Sequence, residues 1–194
     1  LKKKPLNGGG GVDNLLNDLS GAEWLYWTNT IYQTSFPLDL THQLRKRHGA
    51  IKPPQLMAEV IAFFTKKGEL VLDPFAGVGG TLLGAALVER KAVGIELNNR
   101  WVQVYREIQS QFSIGKEGLS ADTRGRRISG QMVSGDCLME MKKLPSEGVE
   151  AIITDPPYGC RHQIQFKTET NFSMFNPEDA RDLGNLPSFE EYLE

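Results

Sequence analysis

The aliphatic run Leu70-Val71-Leu72 passes into Asp73-Pro74-Phe75-Ala76-Gly77-Val78-Gly79-Gly80-Thr81 and then into Leu82, Leu83, Ala86 and Leu87 at helical spacing. A strand that passes through a glycine-rich turn into a helix makes the crossover that a parallel pair of strands demands. Three further apolar runs meet that demand. Ala92-Val93-Gly94-Ile95 ends in Glu96, Met132-Val133 leads to Gly135-Asp136-Cys137, and Ala151-Ile152-Ile153, bounded by Gly148 and Pro156-Pro157, ends in Asp155. The last is short and rich in β-branched residues, and reads as a buried central strand. Four strands separated by helical connections imply an α/β fold with a doubly wound parallel sheet. In the order 3-2-1-4 the first and fourth strands are neighbours at the topological switch point, so the Asp73 turn and the Asp155 loop open into one crevice.

The two loops carry different chemistry. Glycines at the first permit positive φ and close approach of a ligand to the backbone. Glu96, nineteen positions beyond Gly77, stands at the spacing at which an acidic side chain meets ribose hydroxyls in such folds. The turn lacks a strict G-x-G-x-x-G, and no Gly-Lys-Ser/Thr follows, so a dinucleotide or a P-loop nucleotide fits less well than S-adenosylmethionine, which carries no phosphate. Asp136, at the end of the third strand, is placed to accept from the adenine amine of such a cofactor.

The second loop, Asp155-Pro156-Pro157-Tyr158, joins a carboxylate, two prolines and an aromatic ring. Each proline fixes φ and removes an N–H, which leaves the Asp155 carboxylate and the Pro156 carbonyl as preset acceptors. An exocyclic amine on adenine or cytosine is a poor nucleophile because its lone pair is delocalised into the ring. Two acceptors, one for each N–H, leave that lone pair free to attack. Tyr158 would stack on the base, which has to be flipped out of a duplex to reach such a pocket.

The helices follow from pattern. Lys52-Pro53-Pro54 introduces one with Leu56, Val60, Ile61 and Phe64 on its apolar stripe and Gly68 past its end. Asn98 to Phe112 is predicted as a second, with Trp101, Tyr105, Ile108 and Phe112 on the core side, and Leu138 to Leu144 as a short third. Residues 115–131, rich in Gly, Ser and Arg, read as an exposed loop. Residues 1–20, with Gly8 to Gly11, read as a flexible lead-in. Residues 21–51 form an N-terminal arm whose aromatics (Trp24, Tyr26, Trp27) and basic cluster Arg45-Lys46-Arg47-His48 suit either a nucleic-acid surface or a packed cover, the cluster alone reading as a solvated face. Residues 52–194 make the catalytic domain. Its polar stretch 159–187 suits a flap, and Ser188-Phe189-Glu190-Glu191 reads as a capping box.

With 22 basic against 24 acidic residues and a formal charge of -2, any phosphate-binding surface must be a local patch. Cys137 and Cys160 are too few for a disulfide framework or a zinc site, which fits a reducing cytoplasm. His42, His48 and His162 lack ligand spacing, so no metal is expected. No apolar run approaches the roughly 20 residues of a membrane span.

The pair Asp73-Pro-Phe-Ala-Gly-Val-Gly-Gly and Asp155-Pro-Pro-Tyr resembles the S-adenosylmethionine-dependent DNA amino-methyltransferases of the restriction-modification and orphan kind, over residues 48–160. The resemblance implies a Rossmann-like methyltransferase sheet, incomplete at the C-terminus, that a missing segment or a second chain completes; no target-recognition domain is visible. It assigns the cofactor S-adenosyl-L-methionine to Lys52, Asp73, Phe75, Ala76, Gly77, Gly79, Glu96 and Asp136, and catalysis to Asp155, Pro156, Pro157 and Tyr158. The implied substrate is double-stranded DNA, methylated at adenine N6. Cytosine N4 is the nearest alternative. The continuation Gly159-Cys160-Arg161 also resembles the loop of RNA guanine-N2 methyltransferases, and a non-catalytic cofactor-binding piece is the remaining reading. Cys160 is not expected to act as a nucleophile, because amine methylation needs no covalent intermediate.

Overall fold

A computed structural model describes residues 14–28, 35–145, 147–157, 179 and 181–182. The elements in chain order are α1 (Gly21–Trp27), α2 (His42–Arg45), α3 (Pro54–Phe64), β1 (Leu70–Asp73), α4 (Gly80–Leu87), β2 (Lys91–Glu96), α5 (Asn99–Gln111), β3 (Ser113–Gly115), β4 (Gly118–Ser120), β5 (Arg126–Arg127), β6 (Gln131–Ser134), α6 (Cys137–Glu140) and β7 (Ala151–Ile152). Strands β6, β2, β1 and β7 lie side by side in that order, every pair parallel. This is the expected 3-2-1-4 arrangement. It brings the ends of β1 and β7 together at the switch point, as Leu72 pairs with Ile152.

Helices α3, α4 and α5 share one core with the sheet, built from residues such as Ile61, Val71, Leu82, Leu83, Ala85, Val102, Tyr105 and Ile108. Burying each large aliphatic chain there contributes about 1.5–3 kcal/mol. Helix α4 is small-residue rich so that α3 can approach: a Cβ on Gly84 would lie 2.7 Å from the Ala58 nitrogen. Helix α5 is capped by the Asn98 side chain, which accepts from Arg100 N. As expected, Trp101, Tyr105 and Ile108 are buried on it.

Four expectations need correction. The core face of α3 is Pro54, Met57, Ala58 and Ile61, while Phe64 is 49% exposed. Leu56 and Val60 face the cavity described below instead. The helix has two apolar neighbours, the core and the site, and periodicity cannot tell them apart. Among the described residues β7 is an edge strand rather than a central one, and Ile152, level with Leu72, is 61% exposed.

Third, residues 115–131 are not a plain exposed loop. They contribute to an antiparallel sheet in the order β4-β3-β5, which presses Ile114 and Ile128 into the core. Arg126 donates to the Ala86 carbonyl at the end of α4 (2.6 Å), and Arg124 pairs with Asp122. Strands of two or three residues are too short to show alternation, so the sequence pattern hides them.

Fourth, the described end of the lead-in is docked. Asn17 is buried and donates to the Phe63 carbonyl (2.5 Å), and Asp18 accepts from Lys67 N (2.9 Å) and pairs with Arg90. Helix α1 follows behind a capping box of Ser20 and Glu23. It stacks Trp24 on Phe63 with centroids 4.8 Å apart. The aromatic segment is thus a packed arm along α3. The reading of residues 159–187 as a flap and the Ser188 capping box fall essentially outside the described residues, as do Tyr158 and Cys160.

Candidate active site

The turn after β1 is held by a chain of backbone and carboxylate bonds. Ala76 N donates to the Ile95 carbonyl (2.9 Å), Gly77 N to Glu96 Oε2 (2.8 Å) and Gly79 N to the Ala76 carbonyl (2.8 Å). Gly77 and Gly79 both have positive φ, 52° and 79°. Their tasks differ. Gly77 lines the cavity, and a Cβ there would come within 3.1 Å of His48 Nε2. Gly79 does not line it: a Cβ there would stand 2.2 Å from Tyr105 Cδ2, so its small size serves helix packing.

The cavity has a volume of about 780 Å³, within the range of small-molecule sites. It is bounded by the β1 turn (Asp73, Phe75, Ala76, Gly77), by Glu96 after β2, by Asp136 after β6, by Asp155, Pro156 and Pro157 after β7, and by Lys52 before α3. Eleven of the twelve predicted site residues are described, and all of these except Gly79 meet here.

Asp73 is 4% exposed. Its Oδ1 accepts from Phe75 N (3.1 Å) and from Thr154 Oγ1 (2.7 Å). Burial pushes its carboxyl above the ordinary value, against the bonds from Thr81, Thr154 and Phe75, with the charge of Asp155 adding to the rise. These contacts make Asp73 a brace between the two loops. Glu96 spends one oxygen on Gly77 N and the other on Asn98 N (2.7 Å). Burial raises it to about 7 despite both amides, with Asp182 and Asp73 adding repulsion. Each carboxylate oxygen retains a second lone pair for a ligand hydroxyl. Asp136 caps α6 through Leu138 N (2.9 Å). Asp155 forms an ion pair with Lys52 at the half-exposed rim.

Sequence reasoning missed several residues here. His48 belongs to the cavity wall and not to a solvated cluster. Its ring meets Trp101 edge-on at 5.0 Å, and Nδ1 lies 2.9 Å from the Ala50 carbonyl. A carbonyl only accepts, so Nδ1 carries the proton and Nε2 is left as an acceptor. Burial lowers its pKa below the ordinary imidazole value, which favours the neutral ring. Arg45 is buried, and Thr154, Arg181 and Asp182 also line the cavity. His48 stands 22 residues before β1 and 29 before Gly77, so no local motif signals its place. Among the described residues no cluster of potential metal ligands occurs, and no helix is long and apolar enough to cross a membrane.

Comparison with known proteins finds two family models on this chain. The RMKL-like methyltransferase domain matches residues 63–178, more than half of the chain, and a DNA methylase model matches residues 16–107. The tRNA (guanine(10)-N2)-dimethyltransferase of Methanothermobacter thermautotrophicus is 32% identical over 112 residues, 57% of this chain and 28% of that protein. The enzyme of the same name from Methanocaldococcus jannaschii is 31% identical over 136 residues, 70% of this chain and 36% of that protein. The type II methyltransferase M.HindIII of Haemophilus influenzae is 45% identical over 60 residues, 31% of this chain and 19% of that protein. The chain thus spans about a third or less of these relatives.

Proposed function

Because this chain belongs to the methyltransferase family of the RMKL-like domain, we propose that it transfers a methyl group from S-adenosyl-L-methionine to an exocyclic amine of a nucleobase, adenine N6 of double-stranded DNA in the first place. The observation that carries the reading is the meeting of the β1 turn, Glu96 and the Asp155-Pro156-Pro157 loop around one cavity.

The residues present fit the cofactor. Acids predominate on the wall, with Asp73, Glu96, Asp136, Asp155 and Asp182 against Lys52 and Arg181. Such a lining disfavours phosphates and suits a cationic sulfonium nucleoside. Glu96 takes the ribose hydroxyls, Asp136 the adenine amine, and Lys52 the carboxylate of the amino-acid end, the cofactor's one anionic group. When bound, S-adenosyl-L-methionine supplies an electrophilic methyl carbon on a positively charged sulfur.

Asp155 and the Pro156 carbonyl accept the two N–H groups of the target amine and thereby leave its lone pair outside the ring. That lone pair would take up the methyl carbon that the bound cofactor supplies, the sulfur keeping the bonding pair. The nitrogen then sheds one proton, for which the Asp155 carboxylate is the base on this loop. Tyr158 supplies the stacking face.

A second substrate is favoured by a specific observation. The match to the tRNA guanine-N2 enzymes extends over 112 and 136 residues, against 60 for the type II DNA enzyme. The shared chemistry, an exocyclic amine on a ring, is the same. Labelled S-adenosyl-L-methionine offered with duplex DNA and with tRNA to the longest form of the protein, followed by nucleoside mass spectrometry, decides between them. N6-methyladenine in DNA is the expected product. N2-methylguanine in tRNA overturns the DNA assignment, N4-methylcytosine moves it to the other amino base, and cofactor binding without transfer to either overturns the catalytic reading. Asp155→Ala is expected to abolish transfer while cofactor still binds.

A further inference from the structure

We infer that Arg45, in the N-terminal arm, is a positioning residue of the cofactor site, setting Lys52 and the first turn of α4 against each other. Arg45 is 1% exposed, and its guanidinium reaches three partners at once. Nε donates to Thr41 Oγ1 (2.8 Å), Nη2 to Asp39 Oδ2 (2.6 Å) and Nη1 to the Lys52 carbonyl (2.9 Å). Thr41 is itself fully buried and donates both its amide (2.8 Å) and its hydroxyl to Asp39. The fork is therefore fixed from behind before it touches the site.

What it touches is the rim of the cavity. Lys52 is the cation of that rim, and the carbonyl that Arg45 holds belongs to the same residue whose side chain pairs with Asp155. Gly80, another lining residue, sits directly against this bond. A Cβ on Gly80 would lie 3.0 Å from the Lys52 carbonyl oxygen and 3.6 Å from Arg45 Nη1. One guanidinium thus ties the lead-in to α3 to the arm, with the first turn of α4 packed against the bond.

A buried ion pair is weak support for stability, since desolvating two charges offsets their attraction. An apolar side chain of similar volume would fill the space. What an apolar side chain lacks is a rigid planar set of donors that aligns three segments in one geometry. Arg45 is placed where that alignment decides how far the Lys52 ammonium stands from the β1 turn.

The inference rests on the assignment of this cavity to S-adenosyl-L-methionine, and two ligands separate the two claims. S-adenosyl-L-methionine carries the amino-acid end that Lys52 meets; adenosine lacks it. Calorimetric titration of both is made with the wild type, Arg45→Met, the double variant Asp39→Asn/Arg45→Met, Arg45→Lys and, as a control on the same arm, Lys46→Met. The double variant removes both charges together, so that no uncompensated carboxylate is left to unfold the arm.

Loss of about tenfold or more in S-adenosyl-L-methionine affinity, with adenosine affinity kept within about twofold, is expected for both Arg45→Met variants, because a small displacement of a positioning group is costly only for the group it positions. Arg45→Lys is expected to recover part of the loss and Lys46→Met to behave as wild type. Wild-type affinity for both ligands in the double variant overturns the inference, and so does an equal loss of both ligands. A wild-type protein that binds neither ligand overturns the cofactor assignment itself and the inference with it.

Discussion

Thr154 donates its hydroxyl to Asp73 Oδ1 at 2.7 Å, and this bond ties the loop expected to hold the target base to the turn expected to hold the methyl donor. Asp73 ends β1, and Thr154 lies two residues past the end of β7, the parallel neighbour of β1. Their bond lets the relative position of the two loops be inherited from the sheet, which is the rigid part of the molecule.

Replacing Thr154 by Val keeps the shape and removes the donor. Asp73 is then left buried with one partner fewer, at a cost of about 1–3 kcal/mol. Thr154→Val is expected to unfold at lower denaturant concentration by that amount and to lose methyl transfer. Thr154→Ser should retain both. Equal stability of the Val variant and wild type in a urea titration would show the bond to be dispensable.

Glu96 carries a pH dependence of known sign. Its pKa in the folded protein is raised to about 7, by burial in the first place, above the value near 4.5 of an ordinary Glu. A raised carboxyl favours the fold while protonated. Its contribution is present in full below about pH 4.5 and lost as pH rises through about 7. Cofactor affinity should move the other way, because the ionised carboxylate is the stronger acceptor for ribose hydroxyls. Titrations from about 1.5 pH units below the raised value to about 1.5 units above it should show affinity rising and levelling off. Glu96→Gln should flatten both curves.

Gly79→Ala tests the division of labour within the turn. A left-handed alanine costs about 1–2 kcal/mol, and overpacking against Tyr105 adds about 1–3 kcal/mol. The substitution should therefore lower the unfolding free energy by several kcal/mol. Gly148 also has positive φ, but a Cβ there meets nothing within 4 Å, so Gly148→Ala should cost only the backbone share. Similar losses in the two variants, read from chemical denaturation, would contradict the contact with Tyr105.

Trp24→Ala tests the arm. Its ring stacks on Phe63 with an interplanar angle of 18°, and Trp27 lies 5.6 Å from the same ring. Losing the pair should cost about 0.5–1.5 kcal/mol beyond the area exposed. Amide exchange in residues 14–28 should quicken while that of β1 and β2 stays slow. Uniform quickening would mean that the arm and the sheet unfold as one.

Much of this protein is written in local pattern. The apolar runs leading to Asp73, Glu96, Asp136 and Asp155 mark four parallel strands, each followed by an acid near the end at which the site opens. Their order is that of the doubly wound pattern, and the convergence of the two loops follows from the order. Tertiary structure alone decided the rest. Arg45 and His48 read as parts of a solvated basic cluster, yet one is buried against Asp39 and the other stands on Trp101 and Gly77. Those partners lie on other elements, and a buried charge announces itself only when its counter-charge arrives from elsewhere in the chain. The same reason separates Gly77 from Gly79. Both turn the chain with positive φ, but which lines the cavity and which faces Tyr105 depends on where α5 packs, and no spacing within the turn records that.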